Sequence, residues 1–188
     1  MAENELAGRA VLAVVHNYGV EQDELVVPVE RLRAAGAQVD VAAVKNEPVQ
    51  TLVGDKDPGK SVTPDLTLAD ADVSAYDLLL LPGGTVNADQ LRLEEKAVAA
   101  VRAFTLTGRP VAAICHGPWA LVEADVVRGK TLTSYASVRT DIINAGGTWK
   151  DGPAVRCEAD GWTLITSRNP GDLDDFLSEI GSVLAAQG

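Results

Sequence analysis

The chain has 188 residues, 46% apolar and 23% charged, with 16 Lys plus Arg against 27 Asp plus Glu, for a formal net charge of −11. That length suits one domain, residues 1–188, with a sizeable core; so acidic a surface argues against non-specific nucleic-acid binding and against anionic membranes, and no specific nucleic-acid binding is expected either. Two cysteines, Cys115 and Cys157, make no disulfide framework and point to a reducing, cytoplasmic compartment, while two histidines, His16 and His116, are too few for the usual zinc sites. The acidic start Met1–Leu6 does not read as a secretory signal, and apolar runs such as Leu78–Leu81 are strand-sized, far short of a bilayer span.

In chain order, Ala10–Val15 is a continuous apolar run that suits a strand buried on both faces. A helix follows over Glu21–Ala35, with Leu25, Val29 and Leu32 at helical spacing and Gly36 as its C-cap; Pro28 either kinks this helix or marks its regular start. Val39–Val44 is the second strand, and the strand–helix–strand order predicts a parallel sheet. Thr51–Val53 and Ser61–Thr63 flank a Gly/Pro/Asp turn and predict a small hairpin insertion. Asp77–Leu81 is a buried strand ending in Pro82-Gly83-Gly84, Leu91–Thr107 an amphipathic helix, Val111–Ile114 a strand and Pro118–Val127 a helix. Thr131–Thr133 and Trp162–Thr166 read as strands, Asp141–Ala145 and Leu173–Ala186 as helices, the last opened by Asn169 as N-cap and Pro170 at its first position. The pattern is α/β: a three-layer sandwich around a mostly parallel sheet.

Gly54-Asp55-Lys56-Asp57-Pro58-Gly59-Lys60-Ser61 formally matches a P-loop. Physical chemistry rejects it: Pro58 removes a cradle N–H, Asp55 and Asp57 put negative charge where phosphate would sit, and β-like Val62-Thr63 with Pro64 denies the following helix. A polar hairpin turn is the expectation. Strand one carries no glycine fingerprint for a dinucleotide, so no cofactor is expected.

The chemical signal lies in Val111-Ala112-Ala113-Ile114-Cys115-His116-Gly117-Pro118-Trp119. A buried strand running into Cys115, with small residues at 113 and 117, echoes the nucleophile elbow that exposes a nucleophile at the C-terminal edge of a sheet. A helix starting beyond Gly117 is expected to lower the thiol pKa. His116 is the adjacent base candidate, although neighbouring side chains usually diverge, and His16 lies just past strand one. Glu21, Asp23 and Glu24 sit at the same sheet edge, either as pocket carboxyls or as favourable first-turn acids. Gly83 and Gly84 let backbone N–H groups approach a ligand and, with the N–H after Cys115, would form an oxyanion hole. Cys157, between Arg156 and Glu158, reads as a structural or surface thiol.

In combination, Glu21–Pro28, Leu80–Gly84, Ala113–Pro118, Leu132–Tyr135, Asn144–Gly147 and Thr166–Arg168 resemble the PfpI (intracellular protease I) branch of the ThiJ/PfpI superfamily, which also holds the Parkinsonism-associated deglycase. The resemblance spans about residues 10–185. It implies a flavodoxin-like, class I glutamine amidotransferase-like sandwich and a stress-related cysteine-dependent hydrolase, peptidase or deglycase/glyoxalase-like, acting on a small carbonyl compound or a peptide. The implied nucleophile is Cys115, with His116 beside it, Glu24 as the acid that hydrogen-bonds the cysteine, Glu21 as a second pocket carboxylate, Tyr135 near the pocket, and Gly84 with the His116 backbone as the oxyanion site. The alternative is a redox sensor whose cysteine oxidises to sulfinate without turnover. The branch implies a homodimer or higher oligomer, and its protease-like members take an acid for the Cys/His pair from a partner subunit. Here Thr85–Gln90 is one residue longer than that pattern, Asp89 is its best match, and Gln22 replaces an acid common in the branch.

Overall fold

A computed structural model describes residues 4–187. In chain order the elements are β1 (Ala10–Val15), β2 (Tyr18–Glu21), α1 (Gln22–Ala34), β3 (Gln38–Ala43), β4 (Val49–Val53), β5 (Asp57–Val62), β6 (Leu66–Thr67), β7 (Leu78–Leu81), α2 (Thr85–Leu91), α3 (Glu95–Leu106), β8 (Val111–Ile114), α4 (Pro118–Glu123), β9 (Thr131–Leu132), α5 (Arg139–Asn144), β10 (Thr148–Trp149), β11 (Ala154–Cys157), β12 (Leu164–Ser167) and α6 (Leu173–Ala185). The central sheet has seven strands in the order β11-β12-β8-β7-β1-β3-β6. All its pairings are parallel except β11 with β12.

Alternation along the strands builds the three layers, because successive side chains leave opposite faces of a sheet. Val11, Ala13 and Val15 of β1, with Leu78, Leu80, Ala112 and Ile114, meet Leu25, Val29 and Leu32 of α1 and Phe176, Leu177 and Ile180 of α6. Leu12 and Val14, with Leu79, Leu81, Val111 and Ala113, meet Val98, Val101 and Phe104 of α3 and Leu121 of α4 on the other face. This is the flavodoxin-like sandwich expected from the sequence. From β1 the chain goes to β3 on one side and returns to β7 on the other, so the carboxyl ends of β1 and β7 flank a topological switch point, where open α/β sheets bind ligands.

The remaining elements differ in detail. The hairpin is present as antiparallel β4 and β5, and the P-loop-like segment forms its turn and its second strand, as its chemistry required. The hairpin is joined by β2, which pairs in parallel with β4, making a second, three-stranded sheet. Four residues too short to show a period hid β2 at the front of the predicted helix.

Of the helix expected over Leu91–Thr107, Glu95–Leu106 forms α3, whereas Leu91 ends a separate helix, α2, that the sequence reading did not include. The chain breaks at Glu94, whose φ of −86° and ψ of 107° are extended. α2 buries Asn87, Ala88 and Leu91, whereas α3 turns Ala97, Val98, Val101 and Phe104 onto the sheet. Two burial directions require a corner. Thr131-Leu132 lies outside the central sheet and pairs with β10, and the antiparallel edge strand β11 has no counterpart in the sequence reading. Asn169 does cap, accepting from Gly171 N–H at 2.9 Å, but a 3-10 turn over Pro170–Asp172 precedes α6. Among the described residues no helix is long and apolar enough to cross a membrane.

Candidate active site

β8 delivers Cys115 to the C-terminal edge of the sheet in the left-handed conformation, φ +60°. For a side chain with a Cβ that region costs about 1–2 kcal/mol, so the elbow is strained in the way the small residues at 113 and 117 anticipate. The turn is so tight that neighbouring side chains meet: Cys115 Sγ lies 3.2 Å from His116 Nδ1. The divergence expected of adjacent residues does not occur, because positive φ reverses the usual alternation.

His116 is held on three sides. Its ring stacks on Tyr135, centroids 4.8 Å apart, and tilts against Trp119 at 5.1 Å. Its Nε2 is 3.1 Å from Ser137 Oγ and 3.4 Å from Thr85 Oγ1. Burial holds its pKa below the ordinary histidine value, with the charge of Asp55 pulling the other way, so the resting ring is neutral.

Glu24, in the first turn of α1, is fully buried rather than capping its helix. Its Oε2 accepts the Gly83 N–H at 2.9 Å. Oε1 has no hydrogen-bond partner among the described residues, and the Cys115 thiol beside the carboxyl favours its ionised form. Burial raises the Glu24 pKa to about 8, against the lowering effect of Cys115 and the Gly83 N–H. Burial, and then the charge of Glu24, also push the Cys115 thiol up; the N–H groups of Gly84 and His116 oppose them without prevailing. The thiol expected to be acidified by its helix is therefore raised at rest. α4 is a short helix, and taking a thiolate out of water beside a carboxyl outweighs its dipole. Thiol and carboxyl form one coupled unit that gives up a proton jointly.

Gly83 and Gly84 make this proximity possible. A Cβ on Gly83 would lie 2.5 Å from Glu24 Oε2, 2.7 Å from Cys115 Cβ and 2.8 Å from the His116 nitrogen. Gly84 has φ +82°, and a Cβ there would lie 2.2 Å from the Gly19 carbonyl oxygen. The two N–H groups expected for an oxyanion hole, those of Gly84 and His116, favour the thiolate of Cys115 over the thiol.

The cleft over this group is about 650 Å³ and is lined by Glu21, Glu24, Cys115, His116 and Tyr135 among the residues expected from sequence. Glu21 turns away from the sulfur: its carboxylate accepts the N–H groups of Gly54 and Asp55 at 3.2 and 3.1 Å, pinning the hairpin tip. Two expected residues lie outside the cleft of this chain. His16 does not line the cleft; its Nδ1 accepts from Tyr18 N–H at 3.4 Å, because β2 turns the chain away directly after β1. Asp89 lies on the exposed face of α2 with Gln90 as its side-chain partner, since α2 buries the opposite face. Cys157 lies on β11 outside the cleft, where its sulfur accepts from Thr131 N–H at 3.4 Å.

The sequence reading missed Asp55, Thr85, Ser137 and Asn87. Asn87 is fully buried; its amide donates to the Pro82 and Gly83 carbonyls at 3.2 and 2.9 Å and accepts from the His16 N–H at 2.8 Å, tying the diglycine turn to the end of β1. Asp55 registered in sequence only as an argument against phosphate binding, and no spacing rule links it to Cys115.

Fold and site together define a flavodoxin-like sandwich carrying a cysteine elbow at the carboxyl edge of its sheet. The chain belongs to the DJ-1/PfpI family, whose sequence profile matches residues 9–182, and within it to the PfpI branch, related to DJ-1. It is 39% identical over 164 residues to the "Deglycase PfpI" of Pyrococcus furiosus, covering 87% of this chain and 93% of that protein. It is 36% identical over 168 residues to the "Putative cysteine protease YraA" of Bacillus subtilis, covering 89% and 94%. Among solved structures, Drosophila melanogaster DJ-1beta superposes with a TM-score of 0.83 at 31% identity, covering 94% of this chain and 90% of that one.

Proposed function

We propose that this chain is a PfpI-type hydrolase that uses Cys115 as its nucleophile against an electrophilic carbonyl, in a peptide bond or in an adduct derived from an α-oxoaldehyde. The observation that carries the reading is the placement of Cys115 Sγ, 3.2 Å from a neutral imidazole nitrogen, on an elbow packed directly against the Gly83-Gly84 turn. The relatives named as a deglycase and as a putative cysteine protease support the hydrolase class.

The thiol proton passes to His116 Nδ1 while the S–H electron pair stays on sulfur. Sulfur then bonds to the carbonyl carbon, and the carbonyl π pair moves onto oxygen, where the two N–H groups hold the charge. With a peptide bond, collapse restores the carbonyl and breaks the carbon–nitrogen bond, the amine leaves with the imidazolium proton, and water then hydrolyses the thioester to free the acid and the thiol. A protonated Glu24 keeps a second negative charge away from the sulfur until the proton moves. The same reading includes assembly as a homodimer or larger oligomer, which light scattering measures.

The redox alternative has one supporting feature, a protonated carboxyl able to donate to a sulfinate oxygen. It has one feature against it: Cys115 is 5% exposed and its thiol is raised, whereas oxidation follows thiolate character and access. The test compares wild type with Cys115→Ala on methylglyoxal, glycated thiols and unstructured peptides. Loss of turnover on at least one class supports the hydrolase and names its substrate; a variant equal to wild type on all three overturns the assignment.

A further inference from the structure

We propose that Asp55, at the tip of the β4–β5 hairpin, is the acid of the Cys115–His116 pair, and that it acts within the same chain through the hydroxyl of Thr85. It is a positioning residue: it fixes the His116 tautomer whose Nδ1 accepts the thiol proton. The inference rests on the hydrolase reading above and supplies the acid that the resemblance sought at Asp89.

Asp55 Oδ1 accepts the Thr85 backbone N–H, and Oδ2 accepts the Thr85 hydroxyl, both at 2.7 Å. An ionised carboxylate has no proton to give, and a hydroxyl has only one. The Thr85 proton is therefore committed to Asp55, and only lone pairs remain on Oγ1 to face His116 Nε2 at 3.4 Å. Lone pairs at that position favour a proton on Nε2. A neutral imidazole carries one N–H, so Nδ1 then presents its own lone pair to Cys115 Sγ at 3.2 Å. The Ser137 hydroxyl, 3.1 Å from Nε2, is free to rotate and accept from the same N–H.

The result is one directed chain of donors, from the Cys115 thiol through His116 and Thr85 to the Asp55 carboxylate. When the thiol proton reaches Nδ1, the new positive charge spreads over the ring toward Nε2, on the side that Asp55 faces. The charge of Asp55 favours the protonated ring, against the burial that disfavours it.

The placement of Asp55 is over-determined. Glu21 binds the N–H groups of both Gly54 and Asp55. Asp55 itself is left-handed, φ +58°, a conformation that Asp and Asn tolerate better than most residues. Thr85 follows Gly84, whose positive φ aims the start of α2 at the hairpin. In this arrangement Glu21, read from sequence as a pocket carboxylate, acts on the chemistry by holding the hairpin tip that carries Asp55.

The deciding variant is Asp55→Asn. It tolerates the left-handed backbone and still accepts the Thr85 N–H, but its amide donates to Thr85 Oγ1. The hydroxyl then turns and donates to Nε2, which moves the ring proton to Nδ1. Imidazole 15N NMR is expected to show His116 as the Nε2–H tautomer in wild type and shifted toward Nδ1–H in the variant. Alkylation of Cys115 by iodoacetamide at pH 7 is expected to slow by about 100-fold, and kcat on methylglyoxal to fall by a similar factor with KM within about twofold, at the lower end of what a positioned base contributes. Thr85→Val, which leaves Asp55 and the hairpin in place, is expected to give the same loss. The double variant should lose no more than either single variant, and Thr85→Ser should recover most of the loss seen in Thr85→Val.

An Asp55→Asn protein that alkylates at the wild-type rate with His116 still Nε2–H overturns the proposal. Tautomer and alkylation need no substrate, so they decide on Asp55 even where no compound of the panel turns over. An inactive Cys115→Ala beside a fully active Asp55→Asn removes Asp55 and leaves the hydrolase reading standing.

Discussion

Cys115 Sγ and His116 Nδ1 lie 3.2 Å apart although their residues are consecutive. In a strand or a helix, side chains at i and i+1 point apart. They meet here because Cys115 sits at φ +60°, and the ring is then held by Tyr135, Trp119 and Ser137. The strained residue is thus the one that assembles the pair.

Glu24 makes stability depend on pH in a stated direction. Its folded pKa is about 8 against 4.5 for the free side chain. Between those values the unfolded chain has released this proton and the folded chain still binds it, so this residue's contribution to stability falls as pH rises from about 4.5 to about 8. Glu24→Gln has no proton to lose and still offers an acceptor to Gly83 N–H. It is expected to be more stable than wild type at pH 8, on the order of 2–4 kcal/mol, and equal to it near pH 4. Chemical denaturation at the two pH values measures the difference. An equal gain at both shows that Glu24 is not held protonated.

Gly83→Ala is expected to be damaging out of proportion to one methyl group. The new Cβ would lie under 3 Å from Glu24, Cys115 and the His116 backbone at once. Overpacking of this kind costs about 1–3 kcal/mol, and any relief displaces Cys115 relative to the His116 ring. Thermal unfolding and turnover should fall together. A variant with wild-type turnover would place the working geometry elsewhere.

Asn87→Ala removes a buried side chain with three partners: the Pro82 and Gly83 carbonyls and the His16 N–H. Leaving such groups unpaired costs about 1–3 kcal/mol. The expected result is that loss in urea titration together with a fall in kcat, because the diglycine turn loses its tether. Asn87→Asp restores an acceptor for the His16 N–H but no donor for the carbonyls, and is expected to recover little.

His16→Ala and Asp89→Ala are expected to keep turnover within about twofold of wild type, since surface substitutions away from buried networks are usually close to neutral. His16 does not line the cleft, and Asp89 is exposed on α2. A large loss in Asp89→Ala that depends on protein concentration would instead assign the acid to a partner subunit.

Most of the sandwich was legible in the sequence because its signals are local. Runs such as Ala10–Val15 and Leu78–Leu81 read as strands buried on both faces, and α6 shows its apolar stripe in every turn. Short elements were not legible: β2 has four residues and β9 two, too few for a period, and their pairing is with distant strands. The break at Glu94 was hidden because a helix-compatible sequence continues through it, and only the two burial directions of α2 and α3 demand a corner.

The same division runs through the site. Along the chain, Cys115 ends a buried strand at a small-residue elbow, His116 is beside it, two glycines close the neighbouring strand, and Glu24 opens a helix at the same edge. These are properties of adjacent residues, fixed by chain connectivity. Tertiary structure decided the rest. Burial raises the thiol that a helix start alone would lower, and makes Glu24 a proton holder. The hairpin brings Asp55 and Glu21 to one corner, α2 brings Thr85, and the turn before α5 brings Ser137. Proton affinity and hydrogen-bond direction depend on what surrounds a group in space, and no spacing along the chain encodes that.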